Sequence, residues 1–290
     1  MKIISSFIEE LTLTKGKYHS ICFLSSRIQQ QFRQLLKDSL TNKNMSETTF
    51  LQLVDKQGNK LTNRQIYFID FDCNLLSLVK DKDTIKHLHD LLFYYLENQP
   101  ELIDEYIIFN EYLYRFISTI ELKSNDLIVE FTPTAKTIQN MIKSLDIHIE
   151  YKEDEFIPNY IMRDYLIKTL LMMNMLEKEV LLLITYPESD VGFNDYSEVI
   201  KLIKSHNVTT LVISAQKEFI TSANIDRMLL IEEYGTIYNV SELIQEMDVF
   251  NLLDRNDSLE HAKNIAMHDF LNDYELLDEE IKQFLESNSI

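Results

Sequence analysis

A chain of 290 residues is long for one compact core and short for three, so one or two domains with an appendage are expected. Only four glycines and four prolines are present, which excludes a hairpin-rich sandwich or barrel and favours long helices joined to a modest sheet. The net charge of −19 excludes general attraction to nucleic acid, yet its distribution matters: from residue 241 onward there are 13 Asp/Glu against 3 Lys/Arg, leaving 34 acids and 25 bases before it.

In chain order, alternation predicts a strand pair over 7–13 and 17–24 around the turn Lys15-Gly16-Lys17. An amphipathic helix over 27–40 follows, with Ile28, Phe32, Leu35 and Leu36 at helical spacing. Strands are expected over 49–54 and 66–71, the second apolar enough to be buried on both faces. From about 83 to 122 the pattern is helical, broken at Gln99-Pro100, where proline suits the first turn of a second helix. A short apolar piece over 127–131 precedes a helix over 134–145. Strand and helix then alternate: strands at 146–151, 180–185, 208–214 and 228–232, helices at 158–176 and 194–205. That alternation is the signature of a parallel sheet with crossover helices.

The predicted fold class is therefore α/β, with a mostly parallel sheet in a discontinuous head (1–72 and 146–240). A helical leg is inserted at 73–145, and an acidic helical extension occupies 241–290. No segment has 18 consecutive apolar residues, and glutamates interrupt the N-terminal stretch where a signal peptide needs an apolar run. Cys22 and Cys73 form neither a CxxC pair nor a disulfide framework. A cytoplasmic protein without membrane partners is expected.

Little catalytic chemistry is visible. The turn Leu24-Ser25-Ser26-Arg27, between strand and helix, has no glycine and no GK[ST], so a phosphate cradle is lacking. The run Ile66-Tyr67-Phe68-Ile69-Asp70-Phe71-Asp72 is the alternative. An apolar strand ending in DxD can place a nucleophilic aspartate and its acid/base partner over magnesium, as in haloacid-dehalogenase-type phosphatases. Against it, Asn74 replaces the Thr or Val that motif carries, and strand-terminal aspartates commonly cap a helix. His87 and His89 fall on different helical faces, and His261 and His268 lack a ligand set. Lys15, Lys17, Lys136, Lys143, Arg163 and Lys168 are bases suited to phosphate contact without base reading.

The order of elements adds a resemblance. Ile142-Lys143-Ser144-Leu145-Asp146-Ile147, a long helix, and Leu181-Leu182-Leu183-Ile184 are similar to the Csn-two family of type II-A CRISPR loci. Helix 196–205, then Asn207-Val208-Thr209-Thr210-Leu211-Val212-Ile213, continues the likeness, which covers roughly 1–240. The resemblance implies a degenerate P-loop head, a helical leg and a homotetrameric ring whose basic lumen threads the ends of double-stranded DNA. It further implies a protein without enzymatic activity that supports spacer acquisition beside the CRISPR integrase and effector nuclease. Family members bind calcium between the leg helices and the next strand. Here Asp126 and Glu130 remain, but Thr132 and Asn140 take positions that are often acidic, which predicts a weak or absent calcium site.

Overall fold

Strand runs that are apolar at every position have one comfortable home, the middle of a sheet covered on both faces. In the computed structural model, β1 (Lys2–Ser5), β2 (Leu11–Thr12) and β3 (Tyr18–Phe23) lead into α1 (Ser26–Leu40), then β4 (Leu51–Val54) and β5 (Ile66–Asp72). Helices α2 (Lys82–Asn98) and α3 (Pro100–Ser118), the strands β6 (Glu121–Ser124) and β7 (Leu127–Glu130), and α4 (Asn159–Met172) follow. The rest comprises β8 (Glu179–Thr185), α5 (Tyr196–Ser205), β9 (Thr209–Ile213), α6 (Lys217–Thr221), β10 (Met228–Ile231), α7 (Val240–Val249), α8 (Leu259–Leu271) and α9 (Glu279–Asn288). The structure describes residues 1–40, 48–73, 82–124, 127–130, 140–141, 143–145, 158–172, 178–250, 252 and 259–288. The strand expected over 146–151 and most of the helix expected over 134–145 lie outside them.

The chain divides into two compact units. The first comprises Met1–Leu76, Pro158–Asp164 and Asn174–Ile290. Its centre is a sheet in the order β10-β3-β9-β8-β5, parallel at every pairing. The fold class is thus α/β with a parallel sheet. From β3 the chain crosses to the far edge at β5, returns through β8 and β9, and passes to the other side of β3 at β10. Beside β3 the order reverses, and in open α/β sheets ligands gather outside the carboxyl ends of strands at such a point. A second, antiparallel sheet of β2-β1-β4 packs in the same core. Between the sheets α1 buries Phe32, Leu36 and Leu40, a stripe four residues apart. Full burial of each contributes about 1.5–3 kcal/mol.

One expected pairing is replaced. The strand pair read around Lys15-Gly16-Lys17 is not a hairpin: β2 pairs with β1, while β3 runs parallel between β9 and β10. The physical reason is burial, since five of the six residues of β3 are buried and an edge hairpin cannot cover both faces. The polar His19 is accommodated there by its bonds. Its Nδ1 faces the Lys17 and Thr210 carbonyls at 3.0 and 3.3 Å, and its Nε2 accepts the Thr14 N–H at 2.8 Å. This fixes the neutral ring with its proton on Nδ1, and burial lowers the pKa below the ordinary histidine range. A histidine that resists protonation when folded takes it up when unfolded. Its contribution is therefore whole above about pH 6.5 and is lost as pH falls towards the depressed folded value. Acidification from about pH 7 to 5 should lower the thermal midpoint of the wild type more than that of His19→Asn, measured by calorimetry. Equal slopes would show that His19 does not drive the loss.

Residues 241–290, read from the sequence as an extension, belong to the same unit as the sheet. Asn239 caps α7 by accepting the Glu242 N–H at 3.2 Å. Tyr238 and Tyr274 both donate to Asp269 on α8, and the Tyr238 ring stacks edge-on against Phe270.

The second unit comprises Ser77–Ile157 and Tyr165–Met173, so α4 contributes to both units. Helices α2 and α3 are joined at Gln99, whose extended backbone admits Pro100 at the first helical position. Strands β6 and β7 pair antiparallel. No residue of α3 is buried: Ile108, Phe109, Tyr112 and Phe116 are 59, 45, 71 and 56% exposed. Contiguous exposed apolar surface of this kind is uncommon on a protein that acts alone.

Candidate functional site

In parallel sheets of this kind ligands gather outside the carboxyl ends of the strands, and here α1 starts beside that edge and pairs with acids at the end of β5. Only Leu24 and Ser25 separate β3 from α1. The Leu24 N–H donates to the Ile231 carbonyl at 2.9 Å, and the Ser25 carbonyl accepts from Gln29 N–H at 3.0 Å. Two residues without glycine cannot wrap a phosphate in backbone amides. At the end of β8, Thr185 is followed by Tyr186 in a left-handed conformation (φ 54°). The nearby Glu188 accepts the Ser214 hydroxyl at 2.9 Å and the Ala215 N–H at 3.3 Å. That carboxylate ties the loops after β8 and β9 together.

Three residues of α1, each four apart, meet this edge. Gln29 lies beside the Tyr186 side chain, Arg33 Nη1 lies 2.8 Å from Asp72 Oδ2, and Lys37 pairs with Asp70. The match is geometric. Four helical residues rise about 6 Å and two strand residues about 6.6 Å, so an antiparallel helix sets i, i+4 bases over i, i+2 acids. Asp70 is 3% exposed and the Asp72 side chain 23%. Burial raises the Tyr186 hydroxyl pKa, while Arg33 and Gln29 lower it in part. The DxD motif thus lies in a bed of cations and ring, with its acids held by the helix that follows β3.

The bases singled out from the sequence are distributed between the units. Lys15 and Lys17 are exposed on the turn before β3, where Gly16 takes φ +67° and donates its N–H to Thr209 Oγ1 at 3.0 Å. Arg163 corrects its sequence assignment: at 4% exposure its guanidinium is not offered to a phosphate at the surface. Lys143 and Lys168 are exposed and belong to the second unit. Lys136 and Asp126 lie outside the described residues. Glu130 stands opposite Glu121 in the β6–β7 register. Among the described residues no three His, Cys, Asp or Glu side chains gather as a metal site.

Sequence reading missed a different convergence. Lys17, Lys204 and Arg227 line one cavity at the amino edge of the sheet, and Lys263 from α8 anchors the segment beside it. These residues are far apart in the chain, so no local spacing announces them. Among the described residues no helix is long and apolar enough to cross a membrane.

No protein-family model and no curated protein matches this chain. Among solved structures it is similar to Stu0660 of Streptococcus thermophilus, with a TM-score of 0.58 and 13% identity over 92% of this chain and 84% of the other. It also matches cbiO1 of Clostridium perfringens, part of the ABC transporter complex cbiONQ, at a TM-score of 0.43 and 12% identity. That second match covers 89% of this chain and 90% of the other. The first likeness shows a shared fold and leaves the function to the residues; the second is too distant to carry an argument.

Proposed function

We propose that this chain is a non-catalytic protein that encircles the ends of double-stranded DNA as a homotetrameric ring. In this reading it serves spacer acquisition in type II-A CRISPR immunity, beside the integrase and the effector nuclease. The observation that carries the proposal is a carboxyl edge without a phosphate-binding turn. A sheet of nucleotide-binding form has its phosphate turn cut to two residues and its acids paired with Arg33 and Lys37. The exposed apolar face of α3 supports assembly into a ring. The exposed Lys15 and Lys17, set apart from the acidic C-terminal helices in sequence, support a basic lumen within an acidic chain.

Light scattering coupled to size-exclusion chromatography tests this with linear duplex, with a closed circle of the same sequence, and with calcium or chelator. A tetramer that co-elutes with linear DNA and leaves the circle behind is the expected result. A monomer that ignores both DNAs would overturn the reading. Loss of the tetramer in chelator would show that calcium takes part despite the sparse described donors.

A further inference from the structure

At the carboxyl edge of the parallel sheet cations and acids are paired, whereas the amino edge gathers cations. A cavity of about 270 Å³ opens there, lined by Gly16, Lys17, Lys204, Asn207, Asn224 and Arg227 among others. Its three cations come from three elements: the turn before β3, the last turn of α5, and the short turn that leads into β10. In a chain of net charge −19, such a convergence needs a cause.

Helix capping explains part of it. The Lys204 ammonium donates to the Ser222 carbonyl at 2.6 Å and lies 5.0 Å from the centre of the Tyr18 ring. Behind it, Lys263 donates to the Thr221 carbonyl at 2.7 Å and to that of Ala223. Both lysines neutralise the carboxyl end of α6. Capping accounts for neither Lys17 nor Arg227. The Arg227 Nε is buried and makes no hydrogen bond of good geometry among the described residues. Its nearest acid, Asp226 Oδ1, is 3.5 Å away on a side chain that is 71% exposed. Lys204 keeps unused N–H donors as well, since an ammonium carries three. Burial lowers the Lys204 pKa, and Lys263 and Arg227 lower it further by repulsion. The cations therefore destabilise one another, and an anion placed between them would reverse that.

We infer that this cavity is a binding site for a phosphoryl anion, gripped by Lys17, Lys204 and Arg227. The planar guanidinium supplies paired donors to two phosphoryl oxygens, and the lysines supply charge. The inference does not rest on the DNA reading. A free phosphate or nucleotide, or the terminal phosphate of a DNA strand, presents the same chemistry.

The test uses the full chain. At fixed ionic strength, orthophosphate replacing chloride should raise the thermal midpoint, and calorimetric titration should give a saturable isotherm. In the Lys17→Gln/Arg227→Gln variant the affinity should fall at least about tenfold, the loss expected when charge-assisted hydrogen bonds are removed. Lys17→Gln alone, on an exposed turn, keeps the test sound if the double variant folds poorly. The source is separated by linear duplexes with 5′-phosphate or 5′-hydroxyl ends. Preference for the phosphorylated duplex, abolished by orthophosphate, assigns the site to DNA ends; orthophosphate binding with no such preference assigns it to small anions. No response of the wild type to orthophosphate, or an unchanged response in both variants, overturns the inference.

Discussion

Raising the salt from about 50 to 200 mM is expected to weaken binding to linear duplex by about a thousandfold or more, the loss typical of six to ten phosphate contacts. The number of contacts follows from the proposed assembly. A ring of four copies, each presenting Lys15 and Lys17 on the turn before β3, offers about eight ammonium groups, and each phosphate neutralised releases condensed counterions. In the proposed ring the total charge of −19 does not decide binding, because the duplex responds to the local potential at the lysines rather than to the net charge. Fluorescence anisotropy of a labelled linear duplex, repeated across the salt range, gives the slope of log affinity against log salt. In Lys15→Gln/Lys17→Gln the slope should flatten by several units, with affinity at low salt reduced for every sequence alike. A slope near one in the wild type, or a variant with an unchanged slope, would remove these lysines from the interface. A closed circle bound as tightly as the linear duplex would count against threading itself.

What the sequence disclosed depended on whether the signal was local. The helical spacing of Ile28, Phe32, Leu35 and Leu36 and the apolar runs of β8, β9 and β10 mark helix and buried strands wherever they stand. Gln99-Pro100 marks the α2–α3 junction for the same reason. The destination of β3 was not local. Its alternation fits a hairpin, and only the company of β9 and β10 makes it a central strand. The five-residue α6 is too short to show a period. Arg163 and Lys168 are five apart, which sets them about 140° from one another around a helix, so one is buried while the other faces water. The pairing of Arg33 and Lys37 with Asp72 and Asp70 is written in matched spacings. It is readable only once α1 is known to lie antiparallel over β5. The amino-edge cavity is the extreme case, since Lys17, Lys204 and Arg227 meet through topology alone.

Those matched spacings yield the sharpest separation between a structural and a catalytic DxD. Asp70 is 3% exposed and the Lys37 side chain 28%, so the acid is the buried member of the pair. Lys37→Met leaves that carboxylate short of a cation, and the expected cost is about 3 kcal/mol in denaturant unfolding. That is a large fraction of the roughly 5–15 kcal/mol that holds a domain folded. Asp70→Leu should cost less, because the freed ammonium can reach water along its flexible stem. In Lys37→Met/Asp70→Leu, most of the loss should return, since an apolar pair can replace a buried ion pair at little cost. A nucleophilic Asp70 predicts the reverse pattern: Asp70→Asn abolishes magnesium-dependent phosphate release from a generic ester while the unfolding midpoint stays put. If Lys37→Met costs less than about 0.5 kcal/mol, the level of an exposed pair, the zipper at the carboxyl edge is not what holds α1 down. A coupling of several kcal/mol across the Lys37–Asp70 cycle, with no phosphate released by the wild type, places Asp70 in the scaffold and leaves the chain's chemistry to its cationic surfaces.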